Sequence, residues 1–138
     1  KPQIVNRIVS PEGKLIKTFN PEVKRKVGIS KRAFQIVKRA MWGVVNEPNG
    51  TAFASRTQIS ELCGKTGTAQ SASSTRASKG DHAWFVAFAP LSDPQIAMSV
   101  IVEYGGHGGT SAAPIAKVIA EEYFKDQNTV KEAKAFDR

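Results

Sequence analysis

Two long apolar runs, residues 82–89 and 95–104, stand close together, joined only by Pro90-Leu91-Ser92-Asp93-Pro94. In the first run both alternating sets are apolar: Trp84, Val86 and Phe88 on one side, Ala83, Phe85 and Ala87 on the other. Such a run reads as a strand covered on both faces. Residues 58–70 read as a further strand, and residues 71–80 after them are polar and low in bulk, hence a flexible loop. Strands that succeed one another through local loops suggest an antiparallel meander.

The flanking segments have other periods. Residues 3–9 and 14–19 are short strand candidates around Ser10-Pro11-Glu12-Gly13, whose proline and glycine stand where a β-turn prefers them. After Ser30, a good N-cap, Phe34, Val37, Met41, Val44 and Val45 recur at helical spacing. Residues 31–46 therefore read as an amphipathic helix, with Lys31, Lys38 and Arg39 opposite its apolar stripe and Trp42 at the edge. Asn46-Glu47-Pro48-Asn49-Gly50 ends that helix, and residues 51–57 carry little signal. Gly105-Gly106-His107-Gly108-Gly109 breaks the sheet, after which Thr110 or Ser111 can cap a closing helix. Pro114 is tolerated in its first turn, and Ile115, Val118, Ile119, Glu122 and Tyr123 carry it to about residue 125. Residues 126–138 read as a charged, disordered tail. The expected class is α/β (α+β), an antiparallel sheet flanked by helices, within residues 1–125.

At 138 residues and 14.9 kDa the chain has the size of one domain, and no run approaches the roughly 18–20 apolar residues of a membrane span. It opens at Lys1-Pro2 on a strand-like segment without a signal peptide, as a processed piece or an expressed fragment would. The net charge of +8 gathers early, between residues 14 and 39. Nucleic-acid binding would call for a recognised motif, or for aromatics interleaved with that charge, and neither is there. No nucleic-acid partner is expected; an anionic surface or polymer of the cell envelope is at least as good a match. Cys63 is the sole cysteine, so no internal disulfide forms, and its apolar setting reads as a small buried hydrophobe.

The chemistry lies in Gly64-Lys65-Thr66-Gly67-Thr68-Ala69-Gln70. On a strand Thr66 and Thr68 project together, and two hydroxyls beside the Lys65 ammonium suit a carboxylate. Gly67 lets a substrate or another backbone approach closely, and an edge strand offers free backbone groups to an extended peptide. The Thr68 N–H would serve as one arm of an oxyanion hole if a nucleophile stood opposite. The triplet alone favours an ordinary strand with an exposed lysine; its surroundings reverse that preference. The two histidines do not suggest a hydrolase. His82 starts a strand, His107 sits in the glycine run, and no Ser/Asp partnering or metal-ligand set accompanies them.

Together with Phe85-Val86-Ala87-Phe88-Ala89-Pro90, Gly50-Thr51-Ala52, the glycine run and Ala112-Ala113-Pro114, this stretch resembles the penicillin-binding protein transpeptidases over about residues 1–125. The likeness is closest to class B enzymes of the penicillin-binding protein 2 type, from the cell-elongation machinery. That family lines one cleft with Ser-x-x-Lys, Ser-x-Asn and Lys-Thr-Gly, and this sequence contains only the third. The resemblance implies the C-terminal part of a penicillin-binding/β-lactamase-like transpeptidase domain, inactive alone. The acylated serine would lie on a missing upstream segment or a second chain, the principal expected partner.

By resemblance, Lys65 and Thr68 are catalytic, and Lys65, Thr66, Gly67 and Thr68 bind substrate. The reaction is acyl transfer from D-Ala-D-Ala stem peptides of peptidoglycan, with β-lactams as competing acyl donors and no metal or organic cofactor. Residues 71–80 would flank the cleft mouth and gate entry. The expected location is the periplasm, at the outer face of the cytoplasmic membrane, with an N-terminal anchor outside this chain and cell-elongation proteins as neighbours. Two other readings compete: a serine β-lactamase or β-lactam sensor, and a non-catalytic envelope-binding module that docks through its basic face. Penicillin turnover distinguishes the first. Salt-sensitive binding that ignores Lys65→Ala distinguishes the second.

Overall fold

The computed structural model describes residues 5–20, 25–70 and 80–136, in two compact units, Lys1–Ser30 and Lys31–Arg138. In the first unit β1 (Arg7–Val9) pairs antiparallel with β2 (Leu15–Thr18). The turn forms as its residues dictate: Gly13 N–H donates to the Ser10 carbonyl at 2.9 Å, and Gly13 adopts φ +83°. Only glycine takes that left-handed conformation without strain. The hairpin is shorter than expected, and residues 3 and 4 of its first strand lie outside the described residues.

The second unit runs α1 (Lys31–Asn46), a 3₁₀ turn (Phe53–Ser55), β3 (Cys63–Ala69), β4 (His82–Ala89), β5 (Ile96–Val102), a short α2 (Gly108–Ser111) and α3 (Ala113–Phe136). The three strands form the expected antiparallel meander, in the order β3-β4-β5. The register places Gly64, Thr66 and Thr68 beside Ala87, Phe85 and Ala83, and those in turn beside Met98, Val100 and Val102. This is the core face. Phe85, Ala83 and Ala89 are wholly buried there, with Ala112, Ala113, Ala116 and Ala120 packed over them.

Two expectations are corrected. β4 is not covered on both faces: Trp84 and Val86 remain 38% and 42% exposed, and Ile101 of β5 beside them 48%. Only one corner of that second face is covered, where Cys63 is buried and Lys38 of α1 reaches to 5.9 Å from the Phe88 ring. The closing helix is the second, being longer than expected, and it packs through its small residues. Ile115, Val118 and Ile119 face outward, at 43%, 63% and 43% exposure, and the alanines face the sheet. A helix that comes down close on a sheet already filled by Phe85 has room only for small residues. α3 also continues to Phe136, through Lys131, Glu132, Ala133 and Lys134, residues that sustain a helix.

Smaller differences follow from local hydrogen bonding. Ser111 does not cap the closing helix; its hydroxyl donates to the Gly105 carbonyl at 2.6 Å. Thr110 Oγ1 donates to the His107 carbonyl at 3.1 Å, so His107 caps α2 through its backbone while its ring stays exposed. The segment after α1, which carried little signal, buries Ala52 and Ser55. At the edge of α1, Trp42 lies under the Arg39 guanidinium, 3.8 Å from the ring centroid. In the first turns of α1, Phe34, Ile36 and Val37 remain more than half exposed.

Candidate active-site strand

β3 starts inside the core and ends in solvent. Leu62, Cys63 and Gly64 are buried, and Asn46 Nδ2 ties the Leu62 carbonyl to the end of α1 at 2.9 Å. Burial pushes the Cys63 thiol up to about 12, with the Glu61 carboxylate adding to the shift and Lys38 opposing it, so the thiol stays protonated and inert. From Lys65 onward the strand emerges: Lys65, Thr68 and Ala69 are exposed, Thr66 and Gly67 half-buried. Among the described residues β4 is its sole strand neighbour, which makes β3 an edge. The site residues therefore sit on backbone anchored at one end and accessible at the other.

Thr66 and Thr68 share the core-side face, as alternation requires. Lys65 is rooted on the opposite face beside Val86, but its ammonium bends back and donates to the Thr66 carbonyl at 2.6 Å. Ammonium and hydroxyls thus meet at the strand edge from opposite faces. Backbone groups of alternate residues in a β-strand turn the same way. The side on which Thr66 presents its carbonyl to the ammonium is therefore the side to which Thr68 turns its N–H.

A close backbone approach does occur at Gly67, but Gly108 allows it. A Cβ on Gly108 would lie 2.1 Å from the Trp84 carbonyl oxygen and 2.7 Å from that of Gly67. α2 thus seats its first residue directly on the β3–β4 backbone. The next residue, Gly109, comes against Thr51, where a Cβ would stand 2.1 Å from the Thr51 carbonyl oxygen. Thr51 Oγ1 in turn lies 3.0 Å from Thr66 Oγ1. This contact was not read from the sequence, where Gly50-Thr51-Ala52 stood only as a point of likeness.

His82 is held structurally: its Nδ1 accepts the Tyr104 N–H at 3.1 Å, with the two rings 4.7 Å apart. Among the described residues no group of three or more His, Cys, Asp and Glu is arranged to hold a metal ion. No helix among them is long and apolar enough to cross a membrane. Residues 71–79, expected to flank and gate the site, lie outside the described residues.

The family model for the penicillin binding protein transpeptidase domain matches residues 1–121. Peptidoglycan D,D-transpeptidase MrdA of Haemophilus influenzae is 37% identical over 108 residues, which are 69% of this chain and 16% of that protein. Penicillin-binding protein A of M. tuberculosis, solved as a ceftriaxone acyl-enzyme, superimposes with a TM-score of 0.69 at 28% identity, covering 87% of this chain and 27% of that one. Penicillin-binding protein 2 of Helicobacter pylori, solved in complex with MreC, gives a TM-score of 0.60 at 31% identity over 69% of this chain and 18% of that one. The chain thus spans about a sixth to a quarter of the length of these relatives.

Proposed function

The chain belongs to the penicillin-binding protein transpeptidase family, and we propose that it forms the Lys-Thr-Gly wall of a serine-type peptidoglycan D,D-transpeptidase of the penicillin-binding protein 2 type. The observation that carries this reading is the edge of β3, where the Lys65 ammonium reaches the Thr66 carbonyl at 2.6 Å beside Thr66 and Thr68, which share one face of the strand.

The terminal carboxylate of a D-Ala-D-Ala stem peptide docks on the Thr66 and Thr68 hydroxyls, in the field of Lys65. The Thr68 N–H polarises the scissile carbonyl. A serine on an upstream segment or second chain, assisted by the lysine of Ser-x-x-Lys, attacks that carbonyl. The C–N bond breaks, and D-alanine leaves with the proton the serine gave up. An amine of a second stem peptide then attacks the ester, forming the cross-link and returning the proton to the serine. A β-lactam enters by the same carboxylate contact and leaves the serine acylated. The role is cell-wall synthesis during elongation, at the outer face of the cytoplasmic membrane. The MreC complex of the H. pylori relative supports a morphogenesis partner there.

The test is fluorescent-penicillin labelling of this chain, alone and with the segment bearing Ser-x-x-Lys, followed by denaturation and intact mass of each chain. Label confined to the serine-bearing segment is expected, with Lys65→Ala reducing its rate by about 10²–10³-fold, the scale of losing a preorganised electrostatic group. Label on this chain, or a Lys65→Ala variant that labels normally, contradicts the assignment.

A further inference from the structure

We infer that Thr51 is a positioning residue for this site: its hydroxyl donates to Thr66 Oγ1 and so commits the Thr66 proton to the incoming carboxylate. The inference rests on the transpeptidase reading above and deepens it. The two oxygens lie 3.0 Å apart, and either is able to donate. Each hydroxyl has a single proton. If Thr66 donated to Thr51, Thr66 would face a ligand with lone pairs only and repel a carboxylate. With the bond reversed, the chain runs from Thr51 to Thr66 to the carboxylate, and each donor polarises the next. Lys65 does not compete for Thr66 Oγ1, because its ammonium is on the Thr66 carbonyl.

Thr51 is built to hold this geometry. The Gly50 N–H donates to the Glu47 carbonyl at 2.8 Å, and the Ala52 N–H donates to the Val44 carbonyl at 3.0 Å, which fixes the backbone on both sides of Thr51. Gly109 presses against Thr51, where a Cβ would stand 2.1 Å from the carbonyl oxygen, and lies within ordinary contact of Thr66. Thr51 is itself exposed and borders a cavity of about 400 Å³ lined also by Arg39, Glu47 and Asn49. The device thus links the end of α1, the start of α2 and the middle of β3, and no motif along the chain encodes it.

The experiment uses this chain assembled with the serine-bearing segment and follows acylation by intact mass, with benzylpenicillin and with its methyl ester, which lacks the charge. The readout is the ratio of the two acylation rates within one preparation, which does not depend on how much protein is folded. Thr51→Val is expected to lower the rate with the acid by about 5–30-fold and with the ester by no more than about twofold, the scale of one hydrogen bond in a chain ending on a charge. Thr51→Ala is expected to collapse the ratio in the same way, and Thr51→Ser to preserve it. A ratio unchanged in Thr51→Val and Thr51→Ala overturns the inference while leaving the transpeptidase reading intact. Wild-type protein that neither ligand acylates overturns that reading, and this inference with it.

Discussion

The two faces of the β3-β4-β5 sheet carry similar apolar alternation and meet opposite fates. On one, Ala83, Phe85 and Ala87 disappear beneath Ala112, Ala116 and Ala120. On the other, Trp84, Val86 and Ile101 keep two-fifths to half of their surface in water, and only the Cys63–Phe88 corner is covered. Hydrophobicity along a strand thus states a capacity for burial, while the elements that reach each face decide where it is used. It also bears on function, because Lys65 is rooted on the open face and the two threonines on the closed one. In the proposed transpeptidase, the edge between the faces is where they would meet a ligand.

The closed face depends most on Phe85. Phe85→Ala removes the largest wholly buried side chain among the described residues and should cost about 3–5 kcal/mol in urea unfolding; a loss under about 1 kcal/mol would mean the closed face is not the core. Overpacking tests the same seam from the helix. Ala116→Leu is expected to cost about 1–3 kcal/mol, whereas Val118→Ser, on the outward side of α3, should cost less than about 0.5 kcal/mol. Equal costs for those two variants would reverse the orientation assigned to α3.

Cys63 sharpens the covered corner through pH. Its thiol loses a proton at the ordinary value of 9.0 when unfolded and only at about 12 when folded. Between those values the unfolded state binds fewer protons, so stability falls as pH rises through that window and is unaffected below it. Cys63→Ala should remove this part of the alkaline slope in thermal melts. A slope identical in both proteins would show a solvated thiol. The smallest effect is expected on the open face, where Val86→Thr should change the stability of the isolated chain by about 0.5 kcal/mol or less. A loss several times larger would mean that this face is covered after all.

Much of this architecture was legible in advance, for identifiable reasons. The meander, the first hairpin and α1 announce themselves because period and turn chemistry are local, as Gly13 at φ +83° illustrates. The orientation of α3 was not, because Ile115, Val118 and Ile119 outrank the alanines on any hydrophobicity count. What reversed that ranking was space: Phe85 already fills the sheet face. At the site, the shared face of Thr66 and Thr68 follows from strand period alone. The return of the Lys65 ammonium to the Thr66 carbonyl, and the close seat of Gly108 on Gly67, do not.

The strand period, the order of the elements and the presence of Lys65-Thr66-Gly67-Thr68 without Ser-x-x-Lys or Ser-x-Asn are all legible along the chain. These are properties of neighbours along the chain, settled by alternation, turn residues and side-chain chemistry. Which face of β4 and of α3 is buried emerged only on folding, as did the meeting of Thr51 and Thr66 at 3.0 Å across fourteen intervening residues. Contacts of that kind depend on how closely two backbones pack, and here glycine and alanine at the points of contact set that distance.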